Sequence, residues 1–264
     1  MGRKVLKVSA AVLAFALVIL ILLVTNAFTG NPISRALAQR AVERHVEQQY
    51  AGLDLEVVRK AQYSFKFGEY TAYVQSRTSP DTGFSIYCGS GGNILRDDYD
   101  SYVRSGWNTM QRISSEYASA VETLIHSQLD WEQDMVIAQL NEDGSYPLSS
   151  LQLDMNYDIF SGEIPGSVTV YLYARELTWK SVAEAAVELD RLLEKNQLAA
   201  QEYTVVLKPL TAKEEQKGEC LGVYNFPREL LQSDNLPKVM EEQYRRWEEE
   251  SAREKELEMQ RGAS

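Results

Sequence analysis

One stretch limits this chain more than any other: Val8 to Val24 reads VSAAVLAFALVILILLV and carries no charge. As a helix rising ~1.5 Å per residue, such a run is about 25 Å long. Continued through Thr25 to Phe28, it is long enough to cross a bilayer core. Arg3, Lys4 and Lys7 precede it and no acid does, which predicts a cytoplasmic N-terminus and an extracytoplasmic remainder. The alternative is a cleaved signal peptide, whose apolar region is usually about 7 to 15 residues. Thr25-Asn26-Ala27 is a poor small-x-small site, and Ala36-Leu37-Ala38 lies beyond Pro32 and Arg35. The uncleaved anchor is therefore the reading taken, over residues 8–28, after a cytoplasmic segment 1–7. No cysteine follows the run closely, which argues against a lipoprotein.

What remains is about 235 residues, enough for one large domain or two small ones. Apolar content of 44% and 15 tyrosines supply a packed core, so the chain is not disordered. Net charge is −11, and because the first seven residues contribute +3, the rest carries −14. A domain this acidic is expected to repel nucleic acid and anionic lipid surfaces. The expected partners are the lipid bilayer, through residues 8–28, and another envelope protein. Cys88 and Cys220 are expected on the oxidising side, where a disulfide is allowed but not required. Sequence does not show whether their Cα atoms approach.

Along the chain, Asn31-Pro32 is a helix start, with Asn as N-cap and Pro in the first turn. Ile33 to Tyr50 follows with Leu37, Ala38, Ala41, Val42, Val46 and Tyr50 on one face. Leu55 and Val57, then Tyr63, Phe65 and Phe67, then Tyr70, Ala72 and Val74 alternate as strands around a turn at Gly68. Phe84, Ile86 and Cys88 share one face of a further strand, which stops at Gly89-Ser90-Gly91-Gly92. The spacing of Val103, Trp107, Met110, Ile113, Tyr117, Val121 and Leu124 predicts a helix over Tyr99 to Leu129. In the second half, Met135 to Ala138, Leu151 to Phe160, Ser167 to Leu177, Tyr203 to Leu207 and Leu221 to Phe226 read as strands. Trp179 to Leu198 reads as a helix, and a charged helix starts near Leu236-Pro237.

The fold class expected is α+β: an N-terminal transmembrane helix followed by two small antiparallel-sheet-plus-helix subdomains. Their bounds are 29–129 and 130–234, with a charged C-terminal helix over 235–264.

From Asn31 to about Tyr117 several pieces carry a family likeness. They are Asn31-Pro32, the Tyr63 to Tyr70 hairpin with Lys66, Ser79-Pro80-Asp81 ahead of Phe84-Ser85-Ile86-Tyr87, and Asp97-Asp98-Tyr99. The most specific is Ser105-Gly106-Trp107-Asn108-Thr109 with Arg112, Glu116 and Tyr117. In these the chain resembles the YfjL-like proteins, bacterial membrane-anchored proteins of unknown function. The C-terminal half resembles them only in its order of elements. The resemblance implies an anchor with two domains, and it carries no catalytic residue across.

The residues themselves mark no catalytic constellation. His45 lies beside an apolar helix face and His126 near a helix C-terminus, where the dipole favours it. Neither has zinc-ligand partners at suitable spacing. Asp97, Asp98 and Asp100 resemble a calcium cluster but lack the glycine and closing Glu of an EF-hand, so N-capping is the reading taken. Gly89 to Gly92 lacks the lysine of a phosphate loop, and no serine sits in a nucleophile elbow. Trp107, Asn108 and Arg112 form the one candidate interaction or structural patch, with Trp107 expected in the core. No cofactor and no metal are implied. The function expected is a non-enzymatic, membrane-anchored extracytoplasmic interaction or regulatory module. The alternatives are an envelope hydrolase using carboxylates, or a peptide or small-molecule sensor.

Overall fold

A computed structural model describes residues 12–18, 25, 30–212 and 219–262. Val12–Val18 is helical and exposed. Among the described residues no helix is long and apolar enough to cross a membrane. This overturns the transmembrane helix as an element of the described fold. The rest of the 8–28 stretch, the 1–7 segment and residues 213–218 of the charged loop before β8 lie outside the described residues.

The chain divides into two compact units: Met1–Thr109 with Leu148–Met155, and Met110–Pro147 with Asn156–Ser264. In the first, helix α1 (Pro32–Gln49) starts where Asn31 Oδ1 accepts the Ile33 N–H at 2.8 Å. Four strands follow: β1 (Leu55–Ser64), β2 (Glu69–Ser76), β3 (Gly83–Cys88) and β4 (Ile94–Asp97), in that spatial order and antiparallel throughout. Alternation puts Tyr70, Ala72 and Val74 of β2 opposite Cys88, Ile86 and Phe84 of β3, all buried. Ala38 and Val42 of α1 close this face, and Tyr50 packs its ring edge on Phe84 at 5.0 Å.

Two expectations fail in this unit. Phe65 and Phe67 do not extend β1. They sit in the tight turn Ser64–Gly68, where Gly68 has φ of +68° and donates to Ser64 O at 2.8 Å, and both rings are exposed. The long helix expected from Tyr99 is broken. A π-helical turn, Tyr99–Arg104, is separated by Gly106 from helix α2 (Trp107–Gln128). Gly106 has φ of +83°, and a Cβ there would lie 2.6 Å from Leu148 O, so the break is set by backbone approach as well as by dihedral.

Segment 151–160 contains no strand; it is a loop, and part of it belongs to the first unit. Asp154 N donates to Asp81 Oδ2 at 2.9 Å, and Asp81 N donates back to Asp154 Oδ1 at 3.0 Å. This reciprocal pair takes the backbone groups that a strand ladder would have used.

The second unit contains β5 (Gln133–Leu140), β6 (Gly166–Ala174), helix α3 (Trp179–Lys195), β7 (Glu202–Pro209), β8 (Leu221–Pro227) and helix α4 (Leu236–Gly262). Strand order is β5-β6-β7-β8. The purely antiparallel sheet expected here is corrected: β6 and β7 are parallel, in register from Ser167 with Glu202 to Ala174 with Pro209. The connection Arg175–Gln201 contains α3, and a crossover helix returns the chain to the same end of the sheet. Val182, Ala186, Leu189 and Leu193 of α3 are buried, as are Val168, Val170, Val205 and Leu207 of the central strands. Met240 of α4 is fully buried. Farther along α4, Trp247 stacks on Tyr224 at 4.7 Å, and Tyr244 packs on Trp179 at 5.4 Å.

Candidate functional site

In open sheets with parallel strands, ligands bind beyond the carboxyl ends of those strands. In the second unit that place holds a cleft of about 410 Å³. Leu172, Tyr173 and Ala174 come from the end of β6, and Leu207 and Leu210 from the end of β7 and just beyond. Because β5 runs antiparallel to β6, the residues before β5, Asp130, Trp131 and Glu132, fall at the same end. Ser181, Glu184, Ala185 and Glu188 line it from the first half of α3, which Thr178 caps by accepting the Ser181 N–H at 3.1 Å.

Trp131 forms one wall and is held by its indole N–H, which donates to Glu188 Oε2 at 3.0 Å. Its half-buried ring lines the cleft, and an indole is the side chain that best attracts a cation to its face. The charges agree with that. Asp130, Glu132, Glu184 and Glu188 are opposed by Arg175, by Lys180, whose ammonium lies 3.7 Å from Glu184, and by the roughly half positive charge of the α3 N-terminus. The sum is negative.

Beside the cleft, Asp134 is clamped by Lys208 Nζ at 2.6 Å and by the Tyr173 hydroxyl at 2.7 Å. Lys208 first, then Tyr173, hold the Asp134 carboxyl below the usual carboxylate range. The same carboxylate pushes the Lys208 ammonium and the Tyr173 phenol up. That set is internally paired and fixes the floor of β5, β6 and β7.

The residues singled out in the sequence lie elsewhere. Trp107 is 43% exposed, not in the core. Asn108 is a brace: its amide donates to Asp81 O at 2.9 Å and Gly83 O at 2.8 Å. Arg112 pairs with Glu116 one turn on, at 2.9 Å. Cys88 is buried on β3 with its thiol 3.9 Å from Ala38 O, and Cys220 is exposed in the other unit. Burial pushes the Cys88 thiol up to about 11.

The acidic triplet is divided among separate partners. Asp97 Oδ2 takes His45 Nε2 at 2.8 Å and the Tyr50 hydroxyl at 3.0 Å. Asp98 accepts from the Tyr87 hydroxyl at 2.8 Å, and Asp100 pairs with Arg104 at 3.0 Å. Of the three, Asp97 takes the capping role, accepting the Tyr99 N–H at 3.2 Å. Among the described residues no group of three or more His, Cys, Asp or Glu is placed to hold a metal ion. His126 lies 3.6 Å from Glu122.

Trp131, Glu184 and Glu188 were not foreseen. The signal that leads to them is the long helical connection between two apolar strands, which implies a parallel pair and hence a crevice at its carboxyl ends.

Comparison with curated proteins and with solved structures gives no match. Comparison with protein families does. Residues 5–98 match the YfjL-like N-terminal domain, and residues 116–241 match the YfjL-like C-terminal domain. The second match extends through the whole mixed sheet and α3, where the sequence likeness lay only in element order. With both domains present in the family's order, the chain belongs to the YfjL-like family.

Proposed function

We propose that this protein is a non-enzymatic interaction module of the cell envelope, and that its C-terminal unit takes a cationic group of a partner into the cleft. The observation that carries the reading is the cleft itself, about 410 Å³ at the carboxyl ends of β6 and β7, walled by Trp131 and four carboxylates. That volume admits a lysine or arginine side chain and lies at the small end of the range of ligand clefts. A lysine or arginine side chain of another envelope protein fits both the charge and the indole face. The envelope location rests on sequence alone, on the apolar run Val8 to Val24 and its basic flank.

A carboxylate hydrolase needs an acid of raised pKa beside a second carboxylate, with room for substrate. Glu202 is pushed up by burial, then by Asp143, Glu142 and Glu229. Its recess measures about 30 Å³, enough for a water or two and far too small for a sugar ring. The interaction reading is therefore preferred.

The test is a calorimetric titration of the full chain with a short lysine-rich peptide and with its fully acetylated counterpart. The reading predicts binding of the charged peptide at least ~10-fold tighter than the acetylated one, weakened by Glu184→Gln with Glu188→Gln. Equal affinity for the two peptides, or binding indifferent to the double substitution, would overturn it.

A further inference from the structure

The first unit is polarised along its length. In residues 32–41 and 59–69 stand Arg35, Arg40, Arg59, Lys60 and Lys66, with Glu69 as the one acid. Glu69 is itself held by Arg96 through two 2.8 Å bonds. These two stretches lie at one end of the unit, since Arg35 Nε donates to Ala61 O and Gln39 Oε1 accepts the Ala61 N–H. Residues 42–58 at the other end hold Glu43, Glu47, Asp54 and Glu56 against Arg44. In a chain of net charge −11, a locally basic end is a departure that overall composition does not explain.

The same end carries exposed apolar groups. Phe67 is 67% exposed, Phe65 is 64% exposed, and Ile33 of α1 is 71% exposed. Lys66 lies between the two rings in sequence, its ammonium 5.3 Å from the Phe67 centroid. The chain enters the unit here too. Asn31 N donates to Tyr70 Oη at 2.8 Å, and the Tyr70 hydroxyl donates to Asn31 O at 3.1 Å. Upstream in the chain lies the exposed apolar helix Val12–Val18.

We propose that the β1–β2 hairpin tip, Phe65-Lys66-Phe67, rests in the interfacial layer of an anionic lipid surface. Aromatic rings settle at the boundary of headgroup and acyl chain, and a lysine among them reaches its ammonium back to the phosphates. Behind the tip, Arg35, Arg40, Arg59 and Lys60 add attraction to a surface of opposite charge. A second copy of the chain fits this end poorly, because a symmetric contact would bring like charges together. The inference does not depend on the cleft of the other unit.

The experiment uses the full chain with Cys220→Ser, so that a single introduced cysteine can carry an environment-sensitive dye while Cys88 stays buried. The dye is placed by Phe67→Cys at the tip, or by Gly52→Cys, where a side chain meets nothing within 4 Å. Gly52 stands near the far end of β1, about 30 Å away by strand rise. Each protein is mixed with vesicles of phosphatidylcholine alone or with phosphatidylserine, with and without acyl-chain bromination. The proposal predicts blue-shifted emission and several-fold stronger bromine quenching at position 67 than at 52, greater with phosphatidylserine and reduced by Lys66→Glu. Equal emission at the two sites, or no association with either vesicle, would overturn it. So would a change at position 67 that follows protein concentration rather than lipid, since that indicates self-association. A chain carrying Glu184→Gln and Glu188→Gln should behave as the parent does, which separates this result from the fate of the cleft.

Discussion

The two sheets have the same number of strands in the same spatial order, and they differ most in how the central pair is connected. In the first unit every neighbouring pair is joined by a short turn, so the ladder is antiparallel, and its charged groups are paired off locally: Glu69 with Arg96, His45 with Asp97, Asp54 with Arg77. In the second unit α3 replaces one turn, making β6 and β7 parallel and opening the crevice that Trp131, Glu184 and Glu188 line. What creates the candidate site is therefore topology. Neither unit contains a residue type the other lacks that explains it.

The comparison can be broken most severely at the crossover. Leu193 of α3 is fully buried among the β-sheet and helix residues of its unit, so Leu193→Ala should cost about 2–5 kcal/mol. A urea titration followed by circular dichroism checks this. A cost under about 1 kcal/mol would mean that α3 is not the packed crossover described.

Next in size is the break that lets α2 begin at Trp107. Gly106→Ala places a Cβ 2.6 Å from Leu148 O at a positive φ, and should cost about 1–3 kcal/mol. The melting temperature of the variant measures it, and an unchanged value would show that the turn relaxes freely.

A smaller effect separates the clamp beside the cleft from the cleft itself. Asp134 has its pKa depressed in the folded state by Lys208 and Tyr173, so its stabilisation is present above the unfolded value of about 4. It is lost as pH falls through the lower, folded value. Urea midpoints should therefore fall less between pH 6 and acid for Asp134→Asn than for the parent. An identical pH profile would contradict the clamp.

The smallest effect concerns the thiols. With Cys88 buried and pushed up to about 11, alkylation at pH 8 should modify Cys220 and spare Cys88 until the protein is denatured. Peptide mass mapping reads both sites. Equal rates would place Cys88 outside the core.

Much of the fold was legible because its signals are local. Asn31-Pro32 marks the start of α1 by cap chemistry, and the alternation of Tyr70, Ala72 and Val74 with Phe84, Ile86 and Cys88 gives both strand and buried face. The stripe Met110, Ile113, Tyr117 and Val121 likewise gave the buried side of α2. What failed depends on distant partners. Phe65 and Phe67 continue the alternation of β1, yet the ladder ends at Ser64 because the turn closes there. Leu151 to Phe160 has the composition of a strand, but Asp81, far off in sequence, captures Asp154. Trp107 keeps the apolar period while Gly106, against Leu148, sets where the helix begins and leaves the ring outside.

The candidate site was less legible than the fold. Glu184 and Glu188, one turn apart, look like any solvated helix face until β6 and β7 are known to be parallel. Asn108, by contrast, did stand out in the sequence, and its importance is structural, as the brace between α2 and the Asp81 loop.

The most direct test of the cleft is a nitrogen-edited proton spectrum of the indole groups during titration with the lysine-rich peptide. The chain has four tryptophans, and Trp131 alone among them lines the cleft. The account predicts that the Trp131 indole resonance shifts on peptide addition and that those of Trp107, Trp179 and Trp247 stay in place. A stationary Trp131 signal, or equal movement of all four, would contradict it.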